Sequence, residues 1–378
     1  MKKNRRIVLF IMIVVFTLFN SIIKFKAFAN DMQNNILTLE KAQSEAILNS
    51  NILKEDNRSL ETLHDERWKT KRQEKQVKNR KSSSEWDATL EDYKYESGDK
   101  SKEVDMKIES NEIKLKEDEK EIKRKVLTSF QDILIKQKEL DIAKKNMEHE
   151  SKKLEILKLK NKLGKISDID LESSQNKYDE FVTSLSTKKI ELENLYNSLN
   201  QLMAHEMNER YVVVLDDIDK DFDIENIQRP ENIMDMVLKN RYDYINLKNS
   251  YEIQNLNLNN IKIKYTPNTY IYQEEERTLN NYKESYKEKE ISIKNELENE
   301  YSQLILSKEK LNDNEQILKN SKTILENKYN LFEYGRLSKM DIENAKIDMM
   351  NKELDYMNNK FEFQRNLDKY ISNYDYVK

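Results

Sequence analysis

The chain has 378 residues, with 66 Lys and Arg against 70 Asp and Glu, no cysteine, three glycines and two prolines. Without cysteine there are no disulfides, no thiolate metal sites and no lipid-modified N-terminal cysteine. Charged residues make up 36% of the chain with almost no Gly or Pro, a composition that, where heptads accompany it, belongs to long helices and coiled coils.

The N-terminus runs Lys2, Lys3, Arg5 and Arg6, then an apolar stretch from Ile7 to Phe19, then Ala27-Phe28-Ala29 before Asn30. That order predicts a secretory signal peptide over 1–29, cleaved after Ala29. Apolar residues continue to Ile23, so an uncleaved membrane anchor is the alternative; in both cases the rest of the chain leaves the cytoplasm for the cell envelope. Residues 1–29 hold six basic side chains and no acidic one, leaving 60 basic against 70 acidic residues beyond them. That net charge of −10 points away from nucleic acid as a partner. An exported chain without disulfides is expected to hold together by packing and assembly.

Next, Leu37-Thr38-Leu39-Glu40 is expected to open a helical stretch to about Lys81, with Ala42, Ala46, Ile47 and Leu53 on one side. The break after it alternates Trp86, Ala88 and Leu90, then carries Tyr93 and Tyr95 before Gly98, enough for a short strand at most. A first long helix is predicted from near Lys100 to Leu163 and its partner from Ser167 to about Glu206. Residues 207–229 then break the pattern. Tyr211-Val212-Val213-Val214-Leu215 favours extended chain. The acidic run Asp216, Asp217, Asp219, Asp221 and Asp223 follows, but a calcium loop from Asp217 would need Gly where Phe222 stands and Glu where Gln228 stands. The segment therefore reads as a solvated linker without a metal.

The second half, 230–378, starts with Pro230 at a first-turn position. Helix is expected to about Lys264, an interruption at Tyr265-Thr266-Pro267-Asn268, and an alternation of Tyr270 and Tyr272 that permits a short strand. A long helix to Leu331, a turn at Gly335 and a final helix to about Tyr374 complete the chain. Its order matches that of residues 30–206: helix, break, long helix, tight turn, long helix.

The turns carry the match. Leu163-Gly164-Lys165-Ile166-Ser167-Asp168-Ile169-Asp170 returns as Tyr334-Gly335-Arg336-Leu337-Ser338-Lys339-Met340-Asp341, 171 positions later (335 minus 164). In each, Gly closes one helix and a Ser three residues before an Asp caps the next, Ser167 with Asp170 and Ser338 with Asp341. Val126, Ile133, Leu140, Met147 and Leu154 lead into the first turn seven apart. Leu297, Leu304, Leu311, Leu318 and Leu325 lead into the second at the same offset. A seven-residue apolar repeat imposes left-handed supercoiling, so each turn is the tip of a long antiparallel coiled-coil hairpin. The fold class is all-α: duplicated hairpins, with at most short strands at the breaks.

These features resemble the TolC-like outer-membrane efflux protein family. The likeness includes Leu37-Thr38-Leu39-Glu40-Lys41-Ala42 with Ala46-Ile47-Leu48-Asn49-Ser50-Asn51, the counterpart Met236-Val237-Leu238-Lys239-Asn240-Arg241, and the acids after each turn, Asp170-Leu171-Glu172 and Asp341-Ile342-Glu343. The resemblance implies a trimer whose long helices form a tube and whose tips meet a membrane-fusion adaptor and an inner-membrane or ABC-type transporter. By that implication the docking tips are Leu163, Gly164, Lys165 and Ile166, with Tyr334, Gly335, Arg336 and Leu337. The family's β-barrel has no counterpart here, because a spanning strand needs about ten residues and the two breaks are too short and too charged. The expectation is an efflux or export component, a helical body without the barrel. A coiled-coil envelope spacer with no conduit role is the alternative. An adaptor fits less well, since Gly-rich β-domains are missing.

Chemistry is not expected. His64, His149 and His205 lie far apart, on positions read as solvated, and none makes a two-His metal spacing. No nucleophile triad or phosphate-cradling loop is present, so no enzyme, cofactor or metal is predicted. The 20 tyrosines are read as filling a thin core while keeping their hydroxyls wet.

Overall fold

A computed structural model describes residues 36–81, 88–215 and 227–374. The expected signal peptide, Trp86 and the acidic run from Asp216 to Asp223 lie outside the described residues. In chain order the described elements are β1 (Ile36–Thr38), α1 (Leu39–Asn49), α2 (Asn51–Lys81), α3 (Leu90–Glu96), α4 (Asp99–Lys162), α5 (Asp168–Met203), β2 (Val212–Val214), α6 (Pro230–Asn240), α7 (Tyr242–Ile261), α8 (Tyr270–Glu333) and α9 (Lys339–Ser372). The fold is all-α. Helices α4 and α8 are both 64 residues long, about 96 Å at 1.5 Å per residue, and their first residues, Asp99 and Tyr270, stand 171 apart (270 minus 99).

Three expectations are corrected. Leu37 and Thr38 do not open a helix: Ile36–Thr38 pairs in parallel with Val212–Val214, whose β-branched run favours extended chain, and the pairing buries Leu37 and Val213. The first helical stretch breaks at Ser50, whose hydroxyl accepts the Leu53 amide at 3.3 Å and so restarts the helix as α2. The stretch from Pro230 likewise breaks at Arg241, where the Tyr242 amide donates to Glu117 Oε1 at 2.9 Å. Neither break carries a strand among the described residues. Thr89 and Asp92 form a capping box that turns Leu90–Glu96 into helix α3, and Tyr270 and Tyr272 lie inside α8.

The chain groups into two compact units, Met1–Asn49 with Val126–Asp217 and Ser50–Lys125 with Ile218–Lys378. Helix α4 gives its beginning to the second unit and its remainder to the first. In the first unit Ala42 and Ala46 of α1 are fully buried; side chains this small let α1 approach α5, and Asn49 Nδ2 donates to Met203 O at 2.7 Å. Helix α5 ends at Ala204 in the left-handed conformation (φ 57°), without the glycine that such an end favours. Val126, Phe130 and Ile133 of α4 are buried, as are Leu199 and Met203 of α5.

In the second unit one core joins Ile233 and Val237 of α6, Tyr244 and Ile245 of α7, Ile293, Leu297 and Leu304 of α8, and Phe363, Leu367 and Tyr370 of α9. Tyrosines fill it as expected: Tyr286 packs edge-on to Tyr244 and tilted against Tyr251, and Tyr370 tilted against Tyr301 and edge-on to Tyr374. The Tyr370 hydroxyl is not wet, since it donates to Gln228 O at 2.8 Å, and burial pushes its pKa up. Along α8 the seam is closed at Leu297 and Leu304 and half-buried at Leu311, Leu318 and Leu325 toward the turn.

Candidate functional site: the two hairpin tips

The sequence-predicted site residues fall on two helix–turn–helix tips, each built by its own backbone. At the first, Gly164 has φ +66°, its amide donates to Asn161 O at 2.8 Å, and the Lys165 amide reaches back to Lys160 O at 2.9 Å. At the second, Gly335 has φ +69°, its amide donates to Phe332 O at 2.8 Å, and the Arg336 amide to Leu331 O at 2.9 Å. This pair of bonds, six-to-one and five-to-two, ends a helix by satisfying its last carbonyls. A Cβ on either glycine would meet nothing within 4 Å, so the left-handed backbone alone requires glycine there.

The following helices start on matching boxes whose serines stand three residues after each glycine. Asp170 N donates to Ser167 Oγ at 3.1 Å and Ser167 Oγ to Asp170 Oδ2 at 2.7 Å. The second box repeats this, Asp341 N to Ser338 Oγ at 3.2 Å and Ser338 Oγ to Asp341 Oδ2 at 2.7 Å. Hydrogen bonds from the Ser338 hydroxyl and amide hold the Asp341 carboxyl below its ordinary pKa.

With the backbone closed on itself, the tips present side chains outward. Leu163 is 69% exposed and Ile169 78% at the first tip; Tyr334 is 79% exposed at the second. Lys165 and Arg336 are exposed beside them, whereas Ile166 and Leu337 are half-buried beneath the turn. One lock is specific to the first tip: Asn161 Nδ2 donates to Asp168 Oδ1 at 2.8 Å, across the turn. The equivalent positions of the second tip hold Phe332 and Lys339, which cannot make that bond. Reading the turns for glycine and caps missed this difference, although Asn161 and Asp168 seven apart across a helix end carried the signal.

The arms behind the tips are tied by charge. In the first hairpin Lys136 pairs with Glu191 at 2.8 Å and with Glu139 at 2.8 Å, and Lys188 with Glu139 at 2.7 Å. Burial raises the Glu139 pKa, but the hydrogen bonds from Lys136 and Lys188 outweigh it and the carboxyl is held below its usual range. At the same level of the second hairpin the positions are Ser307, Lys310, Asn359 and Glu362, and one pair remains, Lys310–Glu362 at 3.5 Å.

The histidines do not converge. His64 is exposed, but His149 and His205 are not solvated as expected. His149 continues the inward heptad position of Ile142 and is buried beside Glu150, while His205 Nδ1 lies 2.6 Å from the Tyr211 hydroxyl and Nε2 lies 3.3 Å from Glu45. Among the described residues no three His, Asp or Glu side chains are grouped to hold a metal, and no helix is long and apolar enough to cross a membrane.

No protein-family model matches the chain, and no curated protein matches it in sequence. Solved structures do match in shape. CusC, a protein studied for its folding and transmembrane channel formation, aligns with a TM-score of 0.64 at 10% identity, over 89% of this chain and 91% of its own. The outer membrane protein VceC of Vibrio cholerae aligns at 0.61 with 10% identity, over 89% and 95%. The CmeC outer membrane channel of Campylobacter jejuni aligns at 0.59 with 14% identity, over 89% and 85%. These neighbours are channel and outer-membrane proteins. The likeness establishes the fold: the long helices follow the arrangement seen in these outer-membrane proteins, and no barrel strand stands among the described residues.

Proposed function

We propose that the chain is a non-catalytic subunit of an efflux or export assembly in the cell envelope, a trimeric helical tube that meets a membrane-fusion adaptor and an inner-membrane or ABC-type transporter through its two tips. The observation that carries the reading is the pair of tips themselves. Each ends one helix and caps the next within its own turn, and Leu163, Ile169 and Tyr334 are left outward. Apolar side chains held outward on a rigid turn suit docking onto another helical tip, where a few buried anchors supply most of the affinity. The glycines Gly164 and Gly335 and the caps Ser167, Asp170, Ser338 and Asp341 set the turn; Lys165 and Arg336 with Ile166 and Leu337 complete the contact surface.

The test is a photo-crosslinking amino acid at position 163 or 334 in cells, read by mass spectrometry, together with drug or peptide efflux in a deletion strain complemented by Leu163→Asp and Tyr334→Asp. Capture of an adaptor or transporter and loss of efflux in the Asp variants is the expected result. Unchanged efflux in the deletion strain, with altered envelope integrity, would favour a structural spacer.

A further inference from the structure

One stretch of α2 concentrates positive charge around an exposed tryptophan. Between Arg67 and Lys81 stand eight basic residues and a single acid, Glu74, in a chain whose overall charge is −4. Thr70 and Val77, with Glu74 between them, face inward, and Glu74 Oε1 accepts the Ser101 amide. Arg67, Arg80 and Lys81 are also engaged, with Asp105, Asp92 and Glu96. The outward side carries Trp68, Arg72 and Lys75 at i, i+4 and i+7, flanked by Lys69, Lys71 and Lys78. Among the described residues nothing pairs with Lys69, Lys71, Lys75 or Lys78, and all four are exposed. Trp68 is 64% exposed, with the Arg72 guanidinium 5.6 Å from its ring centre.

We propose that this face of α2 binds an anionic phospholipid surface. The charge is complementary, since clustered Lys and Arg are drawn to acidic headgroups, and the stripe from Trp68 to Lys78 runs straight for about 15 Å, which fits a plane and not a pocket. The indole decides between a bilayer and a soluble acidic partner. Charge alone would serve the latter, whereas a Trp exposed among lysines is the amphipathic group that settles at the lipid–water boundary, with the lysine stems covering apolar surface beside it. No described helix can enter the hydrocarbon, so the contact these residues make is peripheral. This binding stands apart from the conduit reading, because it uses neither tip.

The chain has two tryptophans, so Trp86→Phe leaves Trp68 as the sole reporter. The exported protein, in the form the cell processes, is mixed with phosphatidylcholine vesicles with and without phosphatidylglycerol, some bearing a headgroup-level quencher. The expected result is a blue shift and quenching of Trp68 only with phosphatidylglycerol, reversed by salt, and weakened about fivefold for each lysine neutralised among Lys69→Gln, Lys71→Gln, Lys75→Gln and Lys78→Gln. Those side chains are exposed, and an unchanged circular dichroism spectrum checks that the variants fold. Emission indifferent to phosphatidylglycerol would overturn the proposal. So would an equal shift with soluble polyphosphate, or a shift that grows with protein concentration without lipid, which would make the face a contact between copies. Loss of efflux or of tip crosslinking would touch only the conduit reading.

Discussion

The two hairpins share one architecture and differ in how their arms and tips are held. Both close on a left-handed glycine and reopen on a Ser–Asp box, and both bury an apolar residue at the same level, Ile133 in one and Leu304 in the other. The first adds polar locks: Asn161 to Asp168 at its tip, and the Lys136, Glu139, Lys188 and Glu191 network along its arms. The second has Phe332 at the tip in place of Asn161, keeps the single pair Lys310–Glu362 at the network's level, and sets Lys308 over the Phe363 ring nearby. The backbone device is what both keep. Side chains around it are free to diverge, so a partner meeting both tips would meet two different surfaces, Leu163 and Ile169 in one and Tyr334 in the other.

Seven substitutions in four sets probe that contrast, beginning with the pair the account treats as equal. Ile133→Ala and Leu304→Ala each remove a fully buried side chain at the same level, and each is expected to cost about 2–5 kcal/mol by chemical denaturation. A large cost in one hairpin only would break the equivalence. Gly164→Ala and Gly335→Ala force a side chain into left-handed backbone with open space around it, so each should cost about 1–2 kcal/mol, seen as faster hydrogen exchange at its own tip. Asn161→Leu should cost about 1 kcal/mol and loosen the first tip, while the second keeps its exchange rates.

The smallest effect is electrostatic and depends on pH. The Glu139 carboxyl is held below its usual value of 4.5, so the stability it contributes is present above that value and is lost as pH falls through its lower folded value. Glu139→Gln should therefore lower the melting temperature at pH 7 and make little difference near pH 3, an effect under about 1 kcal/mol because the network is partly solvated. Glu362→Gln, in the exposed pair of the second hairpin, should leave the melting temperature unchanged at either pH.

Much of this was legible in the chain because it rests on local rules. Gly164 and Gly335 announce left-handed helix ends, Ser167 and Ser338 announce caps, and a period of seven announces a coiled-coil seam, each from a few neighbouring residues. What was not legible depends on distant partners or on weaker local signals. The parallel pairing of Ile36–Thr38 joins segments far apart in sequence, and the break at Arg241 is filled by Glu117 from another helix. The capping box at Thr89 and Asp92 was local but lay beneath an alternation of aromatic and apolar residues that reads as strand. At the tips, periodicity located the turn but not its outward side chains, since a heptad says which residues face a seam and is silent about those that face away.

The most direct test of the central reading is the mass of the purified exported protein in solution by native mass spectrometry or light scattering. A particle of three chains is predicted, because a tube of long hairpins needs several copies to close. A monomer at every concentration tested would contradict the account.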